Sequence, residues 1–171
     1  MNKYPRQLSK GHNNAVVALS NTEAGKIFTP DSRVEISIEA ENMKYANSIN
    51  GLVCKFIRID IDEPNQILVM ERLEVLDYRT FEIEIREAMF MELEKKLTEL
   101  HSNGFVHRDI QRPSGFNGEP YDNIILTNNG FRLIDVGISA IKSRTGEALF
   151  QSYVRAELEE LKDFSDYMLN R

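Results

Sequence analysis

The stretch GFVHRDIQRPSGFNGEPYDNIILTNNGFRLIDVG, residues 104–137, places Asp109, Asn123 and Asp135 at the ends of segments otherwise composed for burial. A carboxylate or carboxamide at the open end of a buried strand is held rigidly yet faces a cleft. That placement suits chemistry in which a proton is accepted or developing charge is balanced. A fourth polar group, Lys26, stands inside the apolar run EAGKIF.

Positioning these residues requires a scaffold, and the chain divides into two characters. Up to Glu71 the runs AVVALS, AGKIF, LVCKFIRID and QILVME are short and apolar or alternating, which predicts a small sheet. Between them, Asp31 or Ser32 is placed to cap a helix through SRVEISIEAENMKYANSIN, with Ile38, Met43 and Ala46 at helical spacing and Asn50-Gly51 closing it. After Glu71, residues 80–103 put Ile85, Met89, Leu93, Leu97 and Leu100 on one helical face, with Asn103-Gly104 as a stop. Strands follow at NIILT and FRLID, joined by Asn129-Gly130 as a hairpin turn, and EALFQSYVRAELEELKDFSDYML reads as a final amphipathic helix. Its predicted inward face is Leu158, Leu161, Phe164, Tyr167 and Met168. The change of character falls between Arg72 and Asp77.

A formal net charge of -6 over 171 residues argues against nucleic acid as the main partner. The lone Cys54 sits in an apolar run, which excludes an intramolecular disulfide, predicts a buried thiol and fits a reducing, cytoplasmic setting. No run reaches the roughly 18 apolar residues of a membrane span, and the polar start lacks a signal-peptide core, so neither a membrane partner nor processing is expected.

His107-Arg108-Asp109, then Asn123, then Asp135-Val-Gly resemble the catalytic loop and metal-binding triplet of the protein kinases. The resemblance extends upstream. EAGKIF is similar to the strand that carries the phosphate-pairing lysine, which implies Lys26 for that role and Ala24 against the adenine. The lysine's partner would be Glu39, because Met43 and Ala46 would face inward beneath it, with Glu41 second. LVMERL resembles the strand entering the hinge, implying Met70 as gatekeeper and the backbone of Glu71 and Leu73 at the adenine. LSKGHNNAVVAL resembles an eroded glycine-rich loop, with Gly11 as the middle glycine and Val16 over the base, while Ser9 and Asn14 replace the outer glycines. The family's roles would make Asp109 the acceptor of the hydroxyl proton and Asn123 and Asp135 the holders of Mg²⁺. An acidic residue on the last helix should accept backbone amides of the catalytic loop, with Asp163 the candidate and Asp166 second.

The departures are specific. Thirteen residues separate Asp109 from Asn123, where the family pattern has four, and the Gly-, Pro- and Asn-rich surplus predicts an extruded surface loop. Gln111 stands at the family's charge-neutralising lysine, and Arg112 would supply that charge if the backbone shifts by one residue. Val136 replaces the triplet's Phe. Only 34 residues follow Gly137, with no Ala-Pro-Glu triplet, a pattern similar to the minimal bacterial effector kinases of the OspG and NleH type. The resemblance implies an α+β bilobal fold: an N-lobe at residues 1–73, made of a small antiparallel sheet with one helix, and a truncated, mostly helical C-lobe at 74–171. It implies ATP and Mg²⁺ as cofactors and transfer of the γ-phosphoryl group to a Ser or Thr hydroxyl of a protein substrate, in the cytoplasm or, for an effector, a host cytosol. The alternatives are a nucleotide-binding pseudokinase or scaffold, and a small-molecule kinase or ATPase.

Overall fold

The computed structural model describes residues 7–10, 15–111 and 119–170, and these form an α+β chain. Strands β1 (Gln7–Lys10), β2 (Ala15–Ala18), β3 (Glu23–Phe28), β4 (Phe56–Asp62) and β5 (Asn65–Glu71) make one antiparallel sheet in the order β1-β2-β3-β5-β4. The predicted run LVCKFIRID is divided between two partners. Leu52 to Cys54 leave the sheet to run beside Leu133, with Leu133 N–H donating to Leu52 O at 2.8 Å and Cys54 N–H to Leu133 O at 2.9 Å; only from Phe56 does the chain pair with β5.

Helix α1 (Ile36–Asn47) buries Ile36, Ala40, Met43 and Ala46 against the sheet at helical spacing. It starts later than the Asp31 or Ser32 cap predicted. Ser32 is consumed by a local turn, its hydroxyl accepting Thr29 N–H at 2.9 Å, so α1 begins after β-branched Val34 with no side-chain cap. Its end is earlier too, because Asn50 donates instead to Lys96 O at 3.0 Å. Ile38, predicted inward, is exposed.

The second half opens on a 3₁₀ turn (Tyr78–Thr80) and α2 (Ile83–Ser102). Leu93, Leu97 and Leu100 are buried; Ile85, in the first turn, is exposed rather than inward. Gly104, at φ 84°, reverses the chain after α2 in a conformation that side chains disfavour. Strand β6 (Phe105–Val106) pairs with β9 (Ala140–Ile141), and β7 (Ile124–Thr127) with β8 (Gly130–Leu133). The β7–β8 turn is Asn128-Asn129, one residue before the prediction, with Gly130 at φ 86° opening β8. A one-turn helix α3 (Lys142–Thr145) leads into α4 (Glu147–Leu169).

Helix α4 buries Phe150, Glu157, Leu161, Phe164 and Met168, while Leu158, predicted inward, is exposed. The Phe164 ring meets Tyr121 at 5.0 Å, Phe131 at 5.7 Å, Tyr78 at 6.4 Å and Phe90 at 6.5 Å between centroids. Offset and edge-on pairs of this kind add about 0.5–1.5 kcal/mol each to the burial itself. One continuous hydrophobic cluster joins Phe28 and Leu68 of the sheet to Leu97, Leu133 and Phe164. Among the described residues, no helix is long and apolar enough to cross a membrane.

Candidate active site

Lys26 lies on β3 opposite Leu68 of β5, is buried, and points from the sheet toward α1. Its Nζ donates to both carboxylate oxygens of Glu39 at 2.8 Å and to Asp135 Oδ1 at 2.8 Å. Glu39 is 2% exposed, and a charge that deep is tolerated only with a partner. Burial opposes the Lys26 ammonium, but the charges of Glu39 and Asp135 outweigh it and hold its pKa above the ordinary lysine value. For Glu39, burial pushes the carboxyl pKa up against the pull of Lys26. Glu41, two residues along, pairs instead with Arg144 on the surface at 2.9 Å.

Asp109, Asn123 and Asp135 are tied by backbone geometry. The β7–β8 ladder continues one step past Ile124 and Leu133, with Ile134 N–H donating to Asn123 O at 3.1 Å, so Asn123 and Asp135 emerge side by side. The Asn123 carboxamide donates to Asp109 O at 2.7 Å and to Asp109 Oδ2 at 3.1 Å, which leaves its carbonyl Oδ1 as the oxygen that could hold a metal. His107, fully buried, bonds Ile134 O at 2.9 Å through Nε2 and accepts Asp109 N–H at 3.3 Å on Nδ1. A carbonyl can only accept, so Nε2 carries the ring proton and His107 is a brace for the loop. Arg108 at φ 71° and Asp135 at φ 61° adopt the left-handed region. Such backbones cost on the order of 1–3 kcal/mol and concentrate where function over-determines the structure.

The loop is anchored by Glu157, not by Asp163 or Asp166. Glu157 Oε1 accepts His101 Nε2–H at 2.8 Å and His107 N–H at 3.2 Å, and Oε2 accepts Arg108 N–H. Asp163 and Asp166 are exposed, because the buried stripe of α4 runs Glu157, Leu161, Phe164, Met168 and both aspartates fall outside it. Extending the apolar stripe one turn back from Leu161 reaches Glu157, a signal present in the sequence. Glu160, one turn after Glu157, is half-buried, and its carboxyl is pushed up to about 7 by that burial, by Glu157 and by Asp109 and Asp163, partly offset by the Gln111 backbone N–H. Asn42 is a further buried residue without a predicted role; its carboxamide donates to Val136 O at 2.9 Å and Ser139 O at 3.4 Å, fastening α1 to the segment after Asp135.

Of the residues expected around an adenine, buried Ala24 faces half-buried Met70 across β3 and β5, and Val16 faces Lys26 across β2 and β3. Leu73 packs partly buried on the core. The Glu71 side chain turns away to bind Lys55 N–H at 2.8 Å and Arg132 Nη2 at 2.6 Å, while Arg132 also donates to Gly51 O. This ion pair, unforeseen, locks β8 to the end of β5. Burial pushes the Cys54 thiol up to about 12, with Glu71 adding to it. Gln111 donates to the Tyr121 hydroxyl at 3.0 Å. Gly11 and Arg112 lie outside the described residues.

Among the described residues, no group of three or more His, Cys, Asp or Glu side chains forms a protein-only metal cage. One carboxylate, Asp135, and one carboxamide oxygen, Asn123 Oδ1, make the sparse hard-oxygen set that fits Mg²⁺ when waters and phosphates fill its remaining positions. No protein-family model matches the chain, and no curated protein matches it.

Proposed function

We propose that the chain is a Mg-ATP-dependent phosphotransferase, a minimal bilobal protein-kinase-like enzyme divided near residue 73 that phosphorylates a Ser or Thr hydroxyl of a protein. The carrying observation is the continuous network from Glu39 through Lys26 to Asp135, with Asn123 bonded to Asp109 beside it. An ammonium held by a buried carboxylate presents fixed positive charge to the α- and β-phosphates. Mg²⁺, held by Asn123 and Asp135, would neutralise charge on the β- and γ-phosphates. Asp109, oriented by the Asn123 carboxamide, takes the proton as the substrate oxygen bonds to the γ-phosphorus and the bond to the departing ADP breaks. His107 holds the Asp109 backbone N–H, Glu157 holds those of His107 and Arg108 before it, and neither touches a reacting atom. Arg112 is the candidate for balancing charge on the transferred group.

A nucleotide-binding scaffold is the second reading, favoured by uncharged Gln111, whose amide is spent on Tyr121. Transfer of labelled γ-phosphate to protein, measured with Mg²⁺ for the native chain and for Asp109→Ala, separates the two. Phosphotransfer predicts turnover that the substitution abolishes while ATP still raises the melting temperature. ATP stabilisation with no Asp109-dependent turnover establishes the scaffold.

A further inference from the structure

Strand β4 is the edge of the five-stranded sheet, paired only with β5 among the described residues. A long edge strand offers a row of unpaired backbone groups, and proteins ordinarily guard it with charge or cover it. Here the edge carries Ile57, Ile59 and Ile61, exposed by 37%, 38% and 72%. Arg58 and Asp60 flank Ile59, and their side chains remain 44% and 41% exposed although Arg58 bonds Asp60 at 3.0 Å and Glu23 at 2.8 Å.

A bulge at Ile57 breaks the register with β5, and beyond it the order Arg58-Ile59-Asp60 is its own complement when the strand is laid antiparallel on a copy of itself. Centred on Ile59, within the regular part of the strand from Arg58 onward, the pairing sets Ile59 against Ile59 and Arg58 against Asp60 of the second copy, with isoleucine on one face and the charges on the other. Shifting the centre to Arg58 or to Asp60 sets like charges directly opposite, and an odd register places isoleucine against charge. One register therefore satisfies both faces, and it is the twofold arrangement in which closed dimers form. We infer that the outer edge of β4 is a homodimer interface, joining two sheets into one through an Ile59-centred antiparallel pair. This rests on the edge strand alone and stands independently of the phosphotransferase reading.

The test is sedimentation velocity of the full chain from about 1 to about 500 μM, a range spanning weak to moderate dissociation constants. A concentration-dependent monomer–dimer equilibrium is expected, and Ile61→Lys should raise the dissociation constant at least ~10-fold while leaving the melting temperature of the dilute monomer unchanged, because the residue is in solvent there. The register is read by cysteine cross-linking with a short bis-thiol reagent, the native Cys54 being buried and its thiol pushed up to about 12. Ile59→Cys should link to itself and Ile61→Cys should not, because the Ile59-centred register sets the two Ile61 positions four residues apart along the paired strands. A chain that stays monomeric across the range, a dimer indifferent to Ile61→Lys, open-ended association, or cross-linking of Ile61→Cys to itself would each overturn the proposal.

Discussion

At the scale of single residues, the site is governed by which charges are buried and what faces them. Glu39 is enclosed with Lys26, whereas Glu41 meets Arg144 in solvent, where an ion pair contributes little. Glu39→Gln is therefore expected to lower phosphotransfer at least ~10-fold and Glu41→Gln less than ~2-fold, while Lys26→Ala costs on the order of 10²-fold or more, all read as initial rates at saturating ATP. Glu160 supplies a pH signature. Its folded-state pKa, raised to about 7, lies above the usual 4.5, so the folded chain binds a proton that the unfolded chain has released across that window. Stability should fall as pH rises from 4.5 to 7, and Glu160→Gln should flatten that part of a urea-denaturation pH series and stabilise the chain above pH 7. Lys26, Asp109, Asn123 and Asp135 were legible in sequence because each is polar where its neighbours demand burial. Glu160 was not, since a helix carboxylate reads alike whether it faces solvent or a loop until the packing partner is known.

At the scale of elements, α4 supports the loop that carries Asp109. Glu157 receives His101 and two backbone N–H groups, and four residues later Leu161 begins the apolar part of the same stripe. Glu157→Gln replaces one acceptor oxygen by a donor against those N–H groups and should cost about 3 kcal/mol, measured by urea unfolding, with a loss of transfer larger than any loss of ATP binding. Asp163→Asn should change neither. Phe164→Ala, which removes the ring shared by Tyr78, Phe90, Tyr121 and Phe131, should cost about 3–5 kcal/mol. The helices α2 and α4 were readable from their periodicity to within a few residues. The start of α1 and the path of Leu52 to Cys54 were not, because Ser32 and the apolar run each had two local partners and only tertiary contacts chose between them. The segment after Asp135 is likewise fixed by contacts that no short-range pattern announces. Arg108 stacks on Tyr153 at 3.9 Å and donates to Ile138 O at 2.9 Å, and Ser139 Oγ–H donates to His107 O at 3.0 Å. With Arg108 already engaged, a phosphate on Ser139, Ser143 or Thr145 is not needed to order it. Replacing all three by Ala should leave transfer within about 3-fold of native, and near-complete loss would reveal a phosphate switch.

At the scale of the whole molecule, the sheet and the helical half share one hydrophobic cluster and are joined by contacts that converge on the site: Lys26 with Asp135, Asn42 with Val136, and Arg132 with Glu71. The order of motifs along the chain made this convergence an expectation, but the particular fasteners, Asn42 and Arg132, are ordinary surface residue types whose roles exist only in the folded state. The most direct measurement is the ATP-induced rise in melting temperature, titrated with Mg²⁺, for the native chain, Lys26→Ala and Asp135→Asn. The shift is expected to grow with Mg²⁺ in the native chain, to be small in Lys26→Ala at every concentration, and no longer to respond to Mg²⁺ in Asp135→Asn. A shift indifferent to Mg²⁺ in the native chain, or equally Mg²⁺-dependent in Asp135→Asn, would contradict a single site in which Lys26 and Asp135 act together on nucleotide and metal.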